Sequence, residues 1–198
     1  MNLPNKITVA RIFISVAVLV LLLLPWEQMG VHFPLYTIDG KIIVSLKMLI
    51  AGGLFVLGSF SDFLDGHIAR SKNIVTDFGK VMDSIADKIL VNGVLIILAH
   101  EGMISIIIPV VIITRDIIVD SCKMISGNKG KVVAASIMGK LKTICMMVGL
   151  SLTMFYNLPF EMFGLPIAKI LVIMATVLSV ISGIQYFNNS KELFFYDR

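Results

Sequence analysis

Apolar residues are concentrated in six long windows of the chain, separated by short stretches of polar and turn-forming residues. A helix needs about 20 consecutive apolar residues to cross the hydrocarbon core of a bilayer. The pattern therefore predicts an all-α, polytopic membrane protein whose single domain, residues 1–198, is one bundle of six transmembrane helices. The predicted helices lie near residues 7–25, 42–65, 80–102, 104–125, 134–156 and 164–187.

The composition excludes a soluble protein of this length. The chain has 198 residues, of which 57% are hydrophobic and 15% charged, and its mean hydropathy is +0.93. A soluble domain could not bury so much apolar surface. The first window carries Arg11 and lacks a small-residue cleavage site after LLLLPWEQ, so we interpret it as a span and not as a signal peptide. Cys122 and Cys145 lack the paired spacing of a zinc site or disulfide framework, which favours a packing role.

The polar intervals between the windows differ in their basic residues. The intervals 27–40, 100–102 and 156–163 contain turn formers but few lysines or arginines. The other intervals and the C-terminal tail are basic, and basic loops of membrane proteins remain in the cytoplasm. We therefore expect both termini and the basic loops on the cytoplasmic side. The net charge of +4 suits anionic lipid and phosphate ligands, and no nucleic-acid partner is expected.

Four aspartates stand where the second and third windows approach each other. Asp62 and Asp65 are three residues apart, and Asp83 and Asp87 are four apart, so each pair shares one face of its helix. Because the connection is short, the two helices run antiparallel and the acidic faces meet near the cytoplasmic boundary. Such carboxylates are costly there unless they are paired, hydrated or bound to metal. Their hard oxygen ligands suit two magnesium or manganese ions. The alternative is helix capping and salt bridges with nearby basic residues, namely Arg70, Lys72, Lys80 and Lys88.

Small and basic residues accompany these aspartates. Gly66 follows Asp65, and Gly79 precedes Asp83 by four residues, so a ligand or a neighbouring backbone can approach closely at both positions. Arg70 lies one turn beyond Gly66 and can bind a phosphate through two parallel hydrogen bonds.

This arrangement resembles the signature of the CDP-alcohol phosphatidyltransferase family. The matching residues read Asp62-x-x-Asp65-Gly66-x-x-Ala69-Arg70, then eight residues, then Gly79-x-x-x-Asp83-x-x-x-Asp87. The resemblance implies six membrane helices, a dinuclear metal site, and a reaction in which an alcohol displaces CMP from a CDP-linked donor. It also implies that the four aspartates are metal ligands, that Asp87 is in addition the catalytic base, and that three residues contact the CDP group, namely Gly66, Arg70 and Thr76.

Basic residues outside the signature suggest a second binding site. Arg115 lies deep in the run IIIPVVIITRDIIVD, and Lys140 and Lys142 lie in GKLKT. Asp116 is about 100° away around the helix, so it need not neutralise Arg115 fully. The residues are interpreted as a pocket for a phosphorylated acceptor. The alternative is a salt bridge at Arg115 with snorkelling lysines.

Three further segments, MNLPNKITVARI, GKLKT and ISGIQYF, are similar to bacterial phosphatidylglycerophosphate synthases, a subgroup of the same family. Such enzymes make phosphatidylglycerol phosphate and CMP from CDP-diacylglycerol and sn-glycerol 3-phosphate. The resemblance implies a homodimer in the bacterial plasma membrane. Small residues such as those of AGG at positions 51–53 permit close helix packing, either between chains or within one.

The subgroup resemblance also assigns ligand-binding residues. Asn5 and Thr8 would help hold the donor, although helix capping is an alternative for both. Three cationic residues would bind the acceptor phosphate, namely Arg115, Lys140 and Lys142.

The chain departs from the subgroup at three positions. Many relatives have Arg-Glu, proline and glutamine where this chain has Arg115-Asp116, Ser84 and Met146. None of these departures replaces a predicted metal ligand, so they bear on the identity of the acceptor and not on the type of reaction. Within the family, the alternative acceptors are phosphatidylglycerol and an inositol phosphate. Outside it, the alternative interpretations of the aspartates are an intramembrane prenyltransferase and a divalent-cation transporter.

Overall fold

The structure is a computed structural model that describes the backbone of residues 3–71, 77–128 and 137–195, with side chains at 7–61, 79, 82–127 and 137–189. Within these ranges six α-helices are present, as predicted, so the all-helical fold class is confirmed. The elements are α1 Leu3–Leu23, β1 Leu35–Ile38, β2 Ile42–Ser45, α2 Leu46–Ser71, α3 Asp77–His100, α4 Ile107–Asn128, α5 Ile137–Met154, a 3-10 helix Phe160–Phe163, and α6 Ile167–Phe195.

A short β-hairpin corrects the predicted start of the second helix. The apolar window began at residue 42, but Ile42–Ser45 form β2, which pairs antiparallel with β1, and α2 begins at Leu46. Asp39 and Gly40 have positive φ angles of 53° and 67°, and the Lys41 amide donates to the Ile38 carbonyl at 3.2 Å. The connection comprises residues 39–41, and an Asp-Gly pair favours the positive φ angles that its first two residues adopt. The β-branched residues of β2 are equally compatible with a strand.

All six helices contribute to one apolar core. The fully buried side chains include Val18 on α1, Phe55 on α2, Leu95 on α3, Ile112 on α4 and Leu150 on α5. α1 packs against α2 and α3, whereas α6 packs against α4 and α5.

Close approach of α5 and α6 requires a glycine. A Cβ atom at Gly149 would lie 2.9 Å from the Val172 side chain and 3.1 Å from the Val172 backbone nitrogen. Ala51 and Gly52 of the AGG segment serve packing within the chain, because Ala51 is buried in the core and a Cβ at Gly52 would contact Met154 and Phe155.

The outer surface of the bundle is apolar. Large hydrophobic side chains are more than half exposed on several helices, for example Phe13, Ile117, Ile144, Ile170 and Ile184. Soluble monomers rarely expose apolar surface on this scale. In the described residues, two helical stretches are long and apolar enough to cross a membrane, Ile137–Met154 and Ile167–Asn189. Together these features identify a membrane protein.

The loops predicted to be poor in basic residues meet at one end of the bundle. The Ser45 amide donates to the Tyr156 hydroxyl at 3.1 Å, which joins the hairpin to the connection between α5 and α6. Asn157 closes that connection, because its side chain donates to the Leu165 carbonyl at 2.7 Å and accepts from the Ala168 amide at 3.0 Å. A cavity of about 460 Å³ at this end is lined by the hairpin residues 41–43, by Met103 and Ile104 next to the second loop, and by Tyr156, Asn157 and Glu161 of the third. Asp87 and the predicted acceptor-binding residues, namely Arg115, Lys140 and Lys142, border a different cavity towards the opposite end.

Candidate active site

Asp83 and Asp87 lie one turn apart near the start of α3, as the sequence spacing predicts. The Nη1 atom of Arg11 on α1 donates to Oδ1 of Asp83 at 2.8 Å. Arg11 is only 1% exposed, whereas the Asp83 side chain is 38% exposed. A buried guanidinium needs an anionic partner, so this pair anchors α1 to α3 and orients Asp83. Sequence analysis gave Arg11 no role in binding or catalysis, although it lies in the segment MNLPNKITVARI that is similar to the synthase subgroup.

The other residues predicted for the donor and the metals are only partly described. Thr8 is buried on α1, one turn before Arg11. It lies beyond the first four residues of the helix, whose amides are free, so the capping alternative does not suit it. Gly79 is half-buried in the first turn of α3. The side chains of the other predicted residues lie outside the described part of the chain: Asn5 on α1, then Asp62, Asp65, Gly66 and Arg70 on α2, and Thr76, whose backbone is also outside.

The described carboxylates fit one half of a metal site. Asp83 and Asp87 offer oxygen ligands on adjacent turns, the donor type that hard divalent cations prefer. Within the described residues, no group of three or more His, Cys, Asp or Glu side chains converges to hold a metal. A complete site would therefore need the two predicted aspartates of α2, Asp62 and Asp65.

A second cluster joins α4 to α5 through one shared carboxylate. Oδ1 of Asp116 accepts from Nη1 of Arg115 at 2.8 Å and from Nζ of Lys142 at 2.7 Å, and its Oδ2 accepts from Lys142 at 2.9 Å. The side chains of Arg115 and Lys142 are only 15% and 11% exposed. The salt bridge considered from the sequence is thus present. Because one carboxylate faces two cations, the cluster keeps one net positive charge.

α6 fixes the orientation of Arg115. Nε of Arg115 donates to the Ser179 carbonyl at 3.0 Å, and Nη2 donates to the Ser182 hydroxyl at 2.7 Å. A Cβ at Gly183 would lie 2.9 Å from Cγ of Arg115, so glycine provides the space for this side chain. Sequence reasoning singled out ISGIQYF but gave none of its residues a role; Ser182 and Gly183 now have one.

The predicted catalytic base and the predicted acceptor-binding cations border the same cavity, which has a volume of about 310 Å³. Asp87 lies on its α3 wall, Arg115 on its α4 wall, and Lys140 and Lys142 on its α5 wall. Five cationic and three acidic side chains line it: Lys88, Arg115, Lys123, Lys140 and Lys142 against Asp87, Asp116 and Asp120. This excess of positive charge favours an anionic ligand.

The lysines of the cavity differ in their partners. Lys88 forms an ion pair with Asp120, and Lys123 approaches the same carboxylate at 3.5 Å. Nζ of Lys123 also lies 5.7 Å from the centre of the Tyr186 ring. Lys140 is exposed and has no ion pair with any other described residue. It is therefore available to an incoming anion.

Comparison with known proteins identifies relatives along the whole chain. The family model for CDP-alcohol phosphatidyltransferase matches residues 1–181. A Bacillus subtilis protein named CDP-diacylglycerol–glycerol-3-phosphate 3-phosphatidyltransferase is 36% identical over 193 residues, covering 96% of each chain. A protein of the same name from Rickettsia bellii is 33% identical over 194 residues, covering 98% of this chain and 97% of the relative.

The fold also has a solved counterpart. The apo crystal structure of Mycobacterium tuberculosis phosphatidylinositol phosphate synthase superimposes with a TM-score of 0.61, covering 98% of this chain and 93% of that one, at 19% sequence identity. At this identity the likeness shows the fold alone. With the family model and the two close relatives, the signature aspartates and the helical bundle lead to one conclusion: the chain belongs to the CDP-alcohol phosphatidyltransferase family, whose members generally depend on a divalent metal.

Proposed function

We propose that the protein transfers the phosphatidyl group of CDP-diacylglycerol to sn-glycerol 3-phosphate, giving phosphatidylglycerol phosphate and CMP. Given that the chain belongs to this family, one observation supports the proposal most directly: Asp87 shares a cavity with Arg115, Lys140 and Lys142. A carboxylate that can accept a proton therefore lies beside cations that can bind a phosphate. The names of the Bacillus and Rickettsia relatives agree with these substrates.

The reaction is a direct displacement at phosphorus. The oxygen of the acceptor's primary hydroxyl bonds to the β-phosphorus of CDP-diacylglycerol. The bond from that phosphorus to the bridging oxygen breaks, and CMP departs with the electron pair. Asp87 takes the hydroxyl proton as general base. The phosphatidyl group passes to the acceptor without a covalent bond to the enzyme.

The donor end of the site combines the signature residues of α2 and α3. Asp62, Asp65, Asp83 and Asp87 would hold two magnesium or manganese ions, which neutralise charge on the pyrophosphate. Arg11 supports this role of Asp83, because a carboxylate held at one oxygen keeps a defined orientation. The proposed contacts to CDP-diacylglycerol are Asn5, Thr8, Gly66, Arg70 and Thr76.

The acceptor end relies on cations held in place by their neighbours. Arg115 is fixed by Ser179, Ser182 and Asp116, so little conformational freedom is lost when it binds a phosphate. Lys142 is held by the same carboxylate, whereas Lys140 is exposed. A phosphate monoester carries nearly two negative charges at neutral pH. It therefore matches the positive excess of the cavity.

The proposal includes the position of the enzyme in the membrane. Six helices cross the plasma membrane of a bacterium, with both termini and the active site on the cytoplasmic side. Two features support this topology: the apolar outer surface, and the clustering at one end of the loops that contain few basic residues. The acyl chains of the donor remain in lipid while the soluble acceptor enters from the cytoplasm. Homodimerisation is proposed on family resemblance only.

The test is CMP release by the purified protein in detergent with CDP-diacylglycerol and magnesium. The acceptors compared are glycerol 3-phosphate, inositol phosphate, phosphatidylglycerol and none. Release that depends on glycerol 3-phosphate supports the proposal. Release with another acceptor keeps the reaction and overturns the acceptor, and no release from folded, metal-loaded protein overturns both.

A further inference from the structure

A smaller cavity forms the floor of the acceptor site. Its volume is about 40 Å³, enough for about three water-sized groups. It shares lining residues with the larger cavity, namely Asp87, Lys88, Asp116, Lys142 and Thr143. Its other lining residues are deeper by about one helical turn, namely Val91, Asn92, Ile112, Met146 and Met147.

Asn92 is the polar exception among the deeper residues. Val91, Ile112 and Met146 are buried apolar side chains, and Asn92 lies half-buried beside them in the run ILVNGVLIIL. Its amide makes no hydrogen bond with any other residue that the structure describes. A polar group in such surroundings is costly unless it has a partner, and polar residues within membrane helices commonly mark substrate sites.

The position of Asn92 relates it to the middle of the acceptor. The cavity that it lines lies between Asp87, the proposed base, and Lys142, a proposed phosphate ligand. An acceptor whose reacting hydroxyl lies at Asp87 and whose phosphate lies at Lys142 has its central carbon near this floor. A carboxamide has two N–H donors and a carbonyl acceptor, so it can both donate to and accept from a hydroxyl.

We propose that Asn92 binds a second hydroxyl of the acceptor, adjacent to the one that reacts, and thereby selects a short phosphorylated diol. This inference rests on the proposed function and adds a specificity-determining residue to it. The apolar side chains of Val91, Ile112 and Met146 limit the space around that hydroxyl. The floor thus favours a three-carbon acceptor over a ring polyol.

Two acceptors that differ by one hydroxyl test the inference. They are sn-glycerol 3-phosphate and 3-hydroxypropyl phosphate, which lacks the middle hydroxyl. Wild type is expected to prefer glycerol 3-phosphate about 10-fold or more in kcat/KM, because the analogue leaves the amide unpaired. Asn92→Ala should lower kcat/KM for glycerol 3-phosphate about 10-fold and leave that for the analogue within about twofold, which removes the preference.

Val91→Ala is the matched control, because it enlarges the same floor without removing a polar group. This variant is expected to change kcat/KM for the two acceptors by the same factor and so to keep the preference for glycerol 3-phosphate. If Asn92→Ala lowers kcat/KM equally for both acceptors, or if wild type shows no preference between them, the inference is wrong. Wild type that releases no CMP with either acceptor contradicts the proposed function itself. Should Asn92→Ala fail to fold, Asn92→Ser keeps a hydrogen-bonding group, and it must show an intermediate preference or the inference fails.

Discussion

At the scale of single residues, the proposed acceptor pocket depends on Asp116, which lies between two cationic side chains. Its carboxylate contacts both Arg115 and Lys142, which lie on different helices. Without it the two buried cations would repel each other, and with a second carboxylate their charge would be cancelled. The salt bridge and the proposed binding pocket are therefore compatible: the same contacts position the two cations and leave one formal positive charge, which suits an anionic ligand.

Asp87→Asn is expected to abolish turnover while the protein remains folded. The substitution weakens a proposed metal ligand and removes the group that accepts the hydroxyl proton. General-base catalysis alone contributes about 100- to 10,000-fold, so CMP release should fall by at least about 100-fold. A variant that elutes as folded protein and turns over at the wild-type rate would refute the role given to Asp87.

Arg115→Ala is expected to raise the KM for glycerol 3-phosphate more than the KM for CDP-diacylglycerol. Loss of a hydrogen bond to a charged group costs about 1.5–3 kcal/mol, so a rise of at least about 10-fold is expected. Ser182→Ala should produce a smaller rise in the same constant, because it removes one of the contacts that hold Arg115.

Ser126→Ala is the control for the serine variant. Ser126 is also buried, and its hydroxyl donates to the Cys122 carbonyl one turn earlier at 2.8 Å, outside the cavity. It should leave both KM values unchanged. Equal changes in the two constants for Arg115→Ala would mean that the acceptor phosphate binds elsewhere.

Removal of divalent metal should stop the reaction, since four carboxylates are proposed to act through bound cations. A chelator is expected to abolish CMP release, and magnesium or manganese added in excess should restore it. Full activity in the chelator would show that the aspartates serve another purpose.

At the scale of elements, α6 has two functions along its length. Near its start it packs closely on α5 at Gly149, and further along it holds Arg115 of α4 through Ser179 and Ser182. Contact of α6 with α5 therefore supports the core, and its contact with α4 supports the site. A change at the contact with α5 is expected to alter stability without a direct effect on the chemistry.

Gly149→Ala is expected to destabilise the protein by about 1–3 kcal/mol, because its Cβ would approach backbone and side-chain atoms of Val172. For a chain of this length each kcal/mol lowers the Tm by roughly 2–4 °C. Gly53→Ala is the control: a Cβ there meets no atom within 4 Å, and alanine favours a helix by about 0.8–1 kcal/mol. Thermal unfolding in detergent should separate the two, and a Gly149→Ala variant as stable as the control would contradict the packing account.

The elements differ in how far the sequence predicts them. Long apolar windows predicted all six helices, because a long helix repeats one composition over many residues. The hairpin was missed because β2 has only four residues, Ile42–Ser45, within an apolar window; the Asp39-Gly40 turn was the available signal.

Contacts at the site also differ in how far the sequence predicts them. The four-residue spacing of Asp83 and Asp87 predicts their shared face, since both lie on one helix. Ser179 and Ser182 are more than 60 residues from Arg115 in sequence, and spacing gives no distance between separate helices. The shared role of Asp116 likewise depends on how α4 and α5 pack.

At the scale of the whole molecule, the two ends of the bundle differ in character. One end gathers the hairpin and the loops around Met103 and Asn157, which are poor in basic residues. The other carries the charged cavity. This asymmetry agrees with a membrane enzyme whose chemistry takes place on one side.

Cysteine labelling tests this orientation in intact cells. In a background without Cys122 and Cys145, Lys41→Cys and Lys169→Cys should react with a membrane-impermeant maleimide, because both positions line the loop-end cavity. Gly127→Cys, exposed near the end of α4, should react only after the cells are permeabilised. The reverse pattern would invert the proposed topology.

The most direct test of the central claim follows one oxygen atom through the reaction. Glycerol 3-phosphate carrying oxygen-18 in its primary hydroxyl is incubated with the purified protein, CDP-diacylglycerol and magnesium, and the products are examined by mass spectrometry. Attack of the acceptor's primary hydroxyl on the lipid-linked phosphorus predicts that the lipid product retains the heavy oxygen and that CMP contains none. A lipid without the label, label in CMP, or no lipid product from folded, metal-loaded protein would contradict the account.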